Sequence, residues 1–177
     1  MDELPAGYRP GARRPGTPEE ARALANPLRI RILRLALDTP RTNKELAERL
    51  GVNPGTTLHH VRLLVRHGFL EAAGERTGRR GAREVPYRAT GKSWVVDLRD
   101  DTGVGTPIVE ASYAEYREAD PADRFGETRV ALRLAEPDVQ ELRDRVWRLV
   151  EEFRTERQRP DGEAYALFWA FHRRRDA

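Results

Sequence analysis

Between residues 17 and 66, apolar positions recur every three or four residues, and polar start and stop residues divide them into four short helices. Thr17-Pro18-Glu19-Glu20 supplies a cap, a proline at the first helical position and first-turn acids, so a helix begins there. Asn26-Pro27 repeats the start signal, after which Leu28, Ile32 and Leu35 share one face. Thr42 and Glu45 form a capping box, whose hydroxyl and carboxylate satisfy free amides at a helix start. Leu46, Ala47 and Leu50 then fall on one side, and Gly51 stands where the helix must stop and turn through a left-handed conformation. Asn53-Pro54 starts the next helix. At about 100° per residue, its Thr57, Val61 and Leu64 cluster within roughly a sixth of a turn, with Leu58 and Val65 beside them. The opposite face carries Gly55, His59, Arg62 and Arg66, with Thr56 on its flank.

After residue 68 the period changes from helical to two. Residues 69–73 and 84–89 read as strands, with Val85, Tyr87 and Ala89 on one face. Pro86 predicts an edge strand, because proline has no N–H to give a central ladder. The connection, GERTGRRGAR over 74–83, holds Arg76, Arg79, Arg80 and Arg83 against a single Glu75. Two helices joined by a tight turn and followed by an arginine-studded hairpin form a winged helix-turn-helix. The second helix of that unit enters the DNA major groove, and its N-terminal turns reach the base edges. The wing lies along the phosphates, which guanidinium groups grip well. The candidate DNA-contacting residues are therefore Asn53, Gly55, Thr56, His59, Arg62, Arg66, Arg76, Arg79, Arg80 and Arg83. The plain alternative is an amphipathic helix pair with a polar solvent face and a solvated hairpin tip.

Beyond residue 99, DDTGVGT has the composition of a linker. Residues 108–118 form a helix whose inner face is either Ile108, Ser112 and Tyr116, or Val109, Tyr113 and Tyr116. Residues 128–134 alternate Val130, Leu132 and Leu134 against Arg129, Ala131 and Arg133, the pattern of a half-buried strand. Residues 137–158 form a long helix with a heptad-like seam of Val139, Leu142, Val146, Leu149 and Phe153. Residues 163–171, EAYALFWAF, are apolar on both faces, the pattern of a covered strand. The expected class is α+β. A disordered, Pro- and Gly-rich arm over 1–16 precedes a winged helix-turn-helix domain over 17–99, and a small helix-strand-helix-strand domain over 100–177 serves for dimerisation and effector binding.

Charge sharpens this division. Residues 1–99 hold 19 Lys and Arg against 11 Asp and Glu, whereas residues 100–177 hold 13 against 18. The basic half is the half with the motif, which is the electrostatic footprint of nucleic-acid binding. The acidic half would be repelled by phosphate and so faces away from the duplex. It also contains nine of the thirteen aromatic residues. Three roles remain open for them: core packing, a dimer surface or an effector pocket. Trp147, Tyr165, Trp169 and Phe171 are the residues for a dimer surface or an organic ligand.

Other chemistries find no footing. The chain has no cysteine, which removes disulfides, thiol catalysis and thiolate metal sites. Gly91-Lys92-Ser93 resembles the end of a phosphate-binding loop, but Pro86 stands where that loop needs its first glycine. No Gly-x-Ser-x-Gly elbow frames a serine. His59, His60 and His67 have no second ligand pair at zinc spacing. The expectation is no enzyme, no cofactor and no metal. No apolar run approaches the ~18–20 residues of a membrane helix, and no signal-peptide core is visible, so a cytoplasmic location follows.

Four stretches together are similar to a known family: ANPLRIRIL (25–33), NKELAERLGVNPGTTLHHVRLL (43–64), HGFLEA (67–72) and VPYRAT (85–90). They resemble the winged-helix repressors of the arsenic-resistance (ArsR) type over roughly residues 18–98. The resemblance implies that the second helix of the motif reads double-stranded DNA, that the wing grips the adjacent backbone, and that the protein is a homodimer. Metal sensors of that family carry a cysteine pair in the first helix of the motif. Here that helix reads NKELAERL, so thiolate sensing does not carry over. The expected function is a sequence-specific transcriptional regulator, a homodimeric repressor open to control by an organic effector. The competing class is a winged-helix module that binds protein or RNA without reading bases.

Overall fold

The computed structural model describes residues 14–77, 81, 83–97, 105–159 and 161–173. Seven helices and seven short strands follow one another as β1 (Arg14–Pro15), α1 (Pro18–Leu24), α2 (Pro27–Leu35), β2 (Arg41–Thr42), α3 (Asn43–Leu50), α4 (Pro54–Arg66), β3 (Leu70–Ala72), β4 (Arg76–Thr77), β5 (Arg83–Glu84), β6 (Pro86–Ala89), α5 (Lys92–Val95), β7 (Val96–Asp97), α6 (Gly105–Glu118) and α7 (Glu136–Glu156). The first four helices start where their caps stand. Thr17 and Thr42 each close a full capping box with Glu20 and Glu45, while Asn26 and Asn53 accept from the amides of Leu28 and Gly55. Gly51 ends α3 at φ 64°, and Val52 donates to the Ala47 carbonyl at 3.0 Å.

The core lies where the helical seams meet the sheet. Leu24, Ile32, Leu46, Val61, Leu64, Phe69 and Leu70 are buried together, with Tyr87 and Ala89 packed against them. The three-stranded sheet has the order β2-β6-β3, all antiparallel. Pro86 therefore lies in the central strand and not in an edge strand. It is tolerated because it is the first residue of β6, where β2 is only two residues long, and its carbonyl still accepts from Ala73 at 2.9 Å. β2 has no periodicity of its own and is found only through its neighbour.

A second tie closes the base of this domain. Arg14 and Pro15, expected in a disordered arm, instead pair in parallel with Val96 and Asp97, while residues 1–13 of that arm lie outside the described residues. Glu20, buried, receives Arg14 at 2.5 Å and Lys92 at 2.8 Å. The Arg14 guanidinium, helped by Lys92 and the Thr17 amide, outweighs burial and holds the Glu20 carboxyl well below its ordinary value of 4.5. A carboxyl lowered on folding contributes stability above its ordinary value, and that contribution is lost as pH falls toward the folded value. A Glu20→Gln protein is expected to lose about 1–3 kcal/mol at neutral pH, and its stability should fall less steeply than the parent's between roughly pH 5 and pH 2. Urea unfolding followed across that range checks both; parallel curves for the two proteins would rule the clamp out.

α6 packs on α2 through Ile108 and the buried Ala111, and Arg31–Glu118 (2.5 Å) and Arg34–Glu115 (3.3 Å) fasten its far end. Its inner face is thus the Ile108, Ser112 and Tyr116 side, because Val109 and Tyr113 are exposed. Past α6 the expected architecture changes. Residues 128–134 and 163–171 form no strand and are exposed throughout. Alternation decides which side of a strand is apolar, but a strand forms only where a neighbour supplies N–H and C=O groups, and neither segment has one among the described residues. The long helix does form, yet Leu149 and Phe153 of its seam lie exposed.

Candidate nucleic-acid interface

α4 is built from the inside out. Thr57, Val61 and Leu64 are each 0% exposed, which anchors one side of the helix in the core. Gly55, Thr56, His59, Arg62 and Arg66 are all exposed on the other side. Among the described residues Arg62 and Arg66 have no ion-pair partner, so both guanidiniums are available to an anion. Asn53 is exposed, but its side-chain oxygen is committed to the helix start, accepting from Gly55 at 2.8 Å. A Cβ on Gly55 would lie 3.1 Å from that oxygen, so the glycine keeps the cap in place as well as thinning the surface. Asn43 of α3 donates to the Pro54 carbonyl at 3.0 Å and sets the start of α4 against α3.

One contact on the flank of α4 has no trace in the local sequence. Arg29 reaches from α2 to within 3.4 Å of His60 Nδ1, while donating to the carbonyls of Ala23 (2.5 Å) and Arg22 (2.7 Å). Burial, then the Arg29 charge, push His60 below its usual value, which favours the neutral imidazole. His59 lies edge-on to it at 5.6 Å and points outward. The described residues contain no group of three His, Asp or Glu side chains placed to hold a metal ion.

The wing is a hairpin in which Arg76 faces Glu84 and Thr77 faces Arg83. Its base is electrostatically closed. Arg76 spans Glu45 of α3 (2.5 Å) and Glu84 (3.4 Å), and Arg83 pairs with Glu75. Burial works against the Glu45 charge, but Arg76 and the Thr42 amide outweigh it and hold the carboxyl below its usual range. Arg79 and Arg80, at the tip, lie outside the described residues. Counting charges within the loop misses this closure, because Glu45 enters it from 31 residues away.

The aromatic candidates are dispersed. Trp147 lies half-buried on α7, while Tyr165, Trp169 and Phe171 stand on the exposed extended segment. Trp169 and Phe171 stack at 5.8 Å, and Tyr165 meets Phe125 edge-on at 5.6 Å. A small ligand needs most of its surface enclosed, so this exposure suits a contact surface better than a pocket.

Residues 24–72 match the family model of a helix-turn-helix domain. The matched stretch runs from the end of α1 to the last residue of β3. No curated protein sequence matches the chain. Among solved structures, the chain is similar to reduced HlyU from Vibrio cholerae, with 21% identity over 54% of this chain and 85% of that one, at a TM-score of 0.34. It is also similar to the homodimeric winged helix-turn-helix DNA-binding domain of Mb0332 from Mycobacterium bovis, described as a possible ArsR-family transcriptional regulator. There the identity is 24%, over 62% of this chain and 85% of that one, at a TM-score of 0.34. The transcriptional regulator SlyA follows with 16% identity, covering 71% and 75%, at a TM-score of 0.31. No described helix is long and apolar enough to cross a membrane.

Proposed function

We propose that this protein is a sequence-specific DNA-binding transcriptional regulator of the ArsR type that acts as a homodimeric repressor. One observation carries the reading: α4 has one side fully buried and the other lined by Thr56 and His59 near its start and by Arg62 and Arg66, exposed and without an ion-pair partner among the described residues, toward its end. That order matches what the major groove asks of a reading helix, with hydrogen-bonding groups at the bases and cations at the phosphates. Dimerisation fits because a single such helix spans too few base pairs for specificity, whereas two at a spacing of about 34–36 Å read two half-sites.

The test is binding to the DNA immediately upstream of the protein's own gene. Thr56→Ala and His59→Ala are each expected to cost about 1–3 kcal/mol on the operator and to relax preference at one base position. Arg62→Ala and Arg66→Ala should weaken binding evenly across sequences and lower the salt slope by about one unit each. Equal losses on operator and random DNA for all four variants would remove base reading and leave a non-specific binder. A protein or RNA partner would instead leave DNA affinity unchanged in every variant.

A further inference from the structure

Residues 121–159 and 161–173 contain no buried residue, although they hold a 21-residue helix and two apolar extended segments. α7 is partly covered, with Glu151 and Arg154 largely enclosed and Arg154 lying 6.0 Å from the Trp94 ring, but the two extended segments are exposed throughout and bury little to offset their lost conformational entropy. The segment 163–171 is exposed along its whole length. Tyr165 is 69% exposed and Leu167 70%, with Trp169 and Phe171 on the same side. None of its backbone groups bonds to a described residue. Water satisfies these groups in the lone chain, but such a row of N–H and C=O groups beside apolar side chains is also a template for pairing with another extended backbone.

We propose that residues 163–171 pair antiparallel with the same residues of a second copy of this chain, about a two-fold axis at Leu167. The inference rests on the homodimer reading above and specifies where the copies join. Three observations favour a second copy. First, the segment is complementary to itself: antiparallel pairing at this register places Tyr165 opposite Trp169 and Ala164 opposite Ala170, and no like charges meet. Second, the other extended segment fails the same test. Residues 128–134 paired about Ala131 would set Arg129 against Arg133, so that segment belongs at the flank of the joined sheet and not at its axis. Third, the two segments do not satisfy each other within one chain. Phe125 and Tyr165 bring their starts together, yet no backbone hydrogen bond links them.

The absence of cysteine allows a direct test on the full chain. At a two-fold axis between antiparallel strands, a residue lies about 4.5–5.5 Å from its own copy, Cα to Cα, within the roughly 4.4–6.8 Å that a disulfide spans. Leu167→Cys, exposed and so harmless to folding, is expected to convert almost wholly to a covalent dimer under mild diamide. Leu149→Cys on α7 and Ala131→Cys on the flanking segment should cross-link at least tenfold more slowly. Leu167→Pro, which removes an N–H and blocks pairing, should raise the dimer dissociation constant roughly a hundredfold or more. Light scattering on the unmodified chain separates the possible failures. If the chain is a dimer but Leu149→Cys cross-links fastest, the copies join through α7 and the strand axis is wrong, while the homodimer stands. If the unmodified chain is a monomer at micromolar concentration, with and without DNA, the homodimer and this inference both fall. Backbone amides of 163–171 that exchange at free-peptide rates in a proven dimer would also overturn it.

Discussion

Replacing Arg79 and Arg80 together by alanine is expected to flatten the dependence of log affinity on log salt by roughly one to two units. The expectation comes from the division of labour among the four wing arginines. Arg76 is held by Glu45 and Glu84, and Arg83 by Glu75, so both reach a phosphate already partnered. A guanidinium that leaves a carboxylate for a phosphate exchanges one anion for another and releases little net counterion from DNA. The loop sequence 74–83 holds one acid, Glu75, and Arg83 takes it. Arg76→Ala and Arg83→Ala should therefore each move the slope by well under ~1 unit. Fluorescence anisotropy on a fixed operator, from roughly 50 to 200 mM salt, reads all three slopes. An unchanged slope for the double variant would place the wing off the backbone, and equal effects from all four arginines would mean that the base opens on binding.

Phe69→Ala should be the most damaging substitution in the domain. Phe69 is 1% exposed at the junction between α4 and the sheet. Its amide donates to the Leu64 carbonyl at 2.9 Å, its carbonyl accepts from Thr90 at 3.1 Å, and Lys92 lies over its ring at 5.0 Å. Truncation leaves a cavity at the hinge from which both the reading helix and the wing hang. A loss of about 3–5 kcal/mol is expected, against a total of about 5–15 kcal/mol for a domain. Chemical unfolding measures it, with Phe69→Leu as the control at under about 1.5 kcal/mol. If alanine costs less than about 1 kcal/mol, Phe69 is not the pin of the core.

The parts legible in the sequence are those whose cause is local. A capping box acts over three residues, so Thr17 with Glu20 and Thr42 with Glu45 announced their helices without any tertiary help. The angular clustering of Thr57, Val61 and Leu64 selected the buried side of α4 for the same reason. The rest depends on partners far along the chain. Pro86 carries a local warning against central strands, which the brevity of β2 cancels. The pairings of Arg29 with His60 and of Arg76 with Glu45 each join residues 31 apart, and no window short enough to show periodicity contains both ends. The apolar segments 128–134 and 163–171 declared which side chains share a face, but a strand also needs a neighbour, and this chain alone supplies none among its described residues.

Glu45 serves two masters, since one carboxylate closes the start of α3 and also holds Arg76. Wings are therefore not interchangeable parts. A hairpin transplanted from another regulator onto this scaffold would leave Glu45 without its cation, and this hairpin moved elsewhere would leave Arg76 without its acid. Positions 45, 76 and 84 form one module: a chimaera that carries all three should keep the angle between hairpin and reading helix, and one that divides them should lose it.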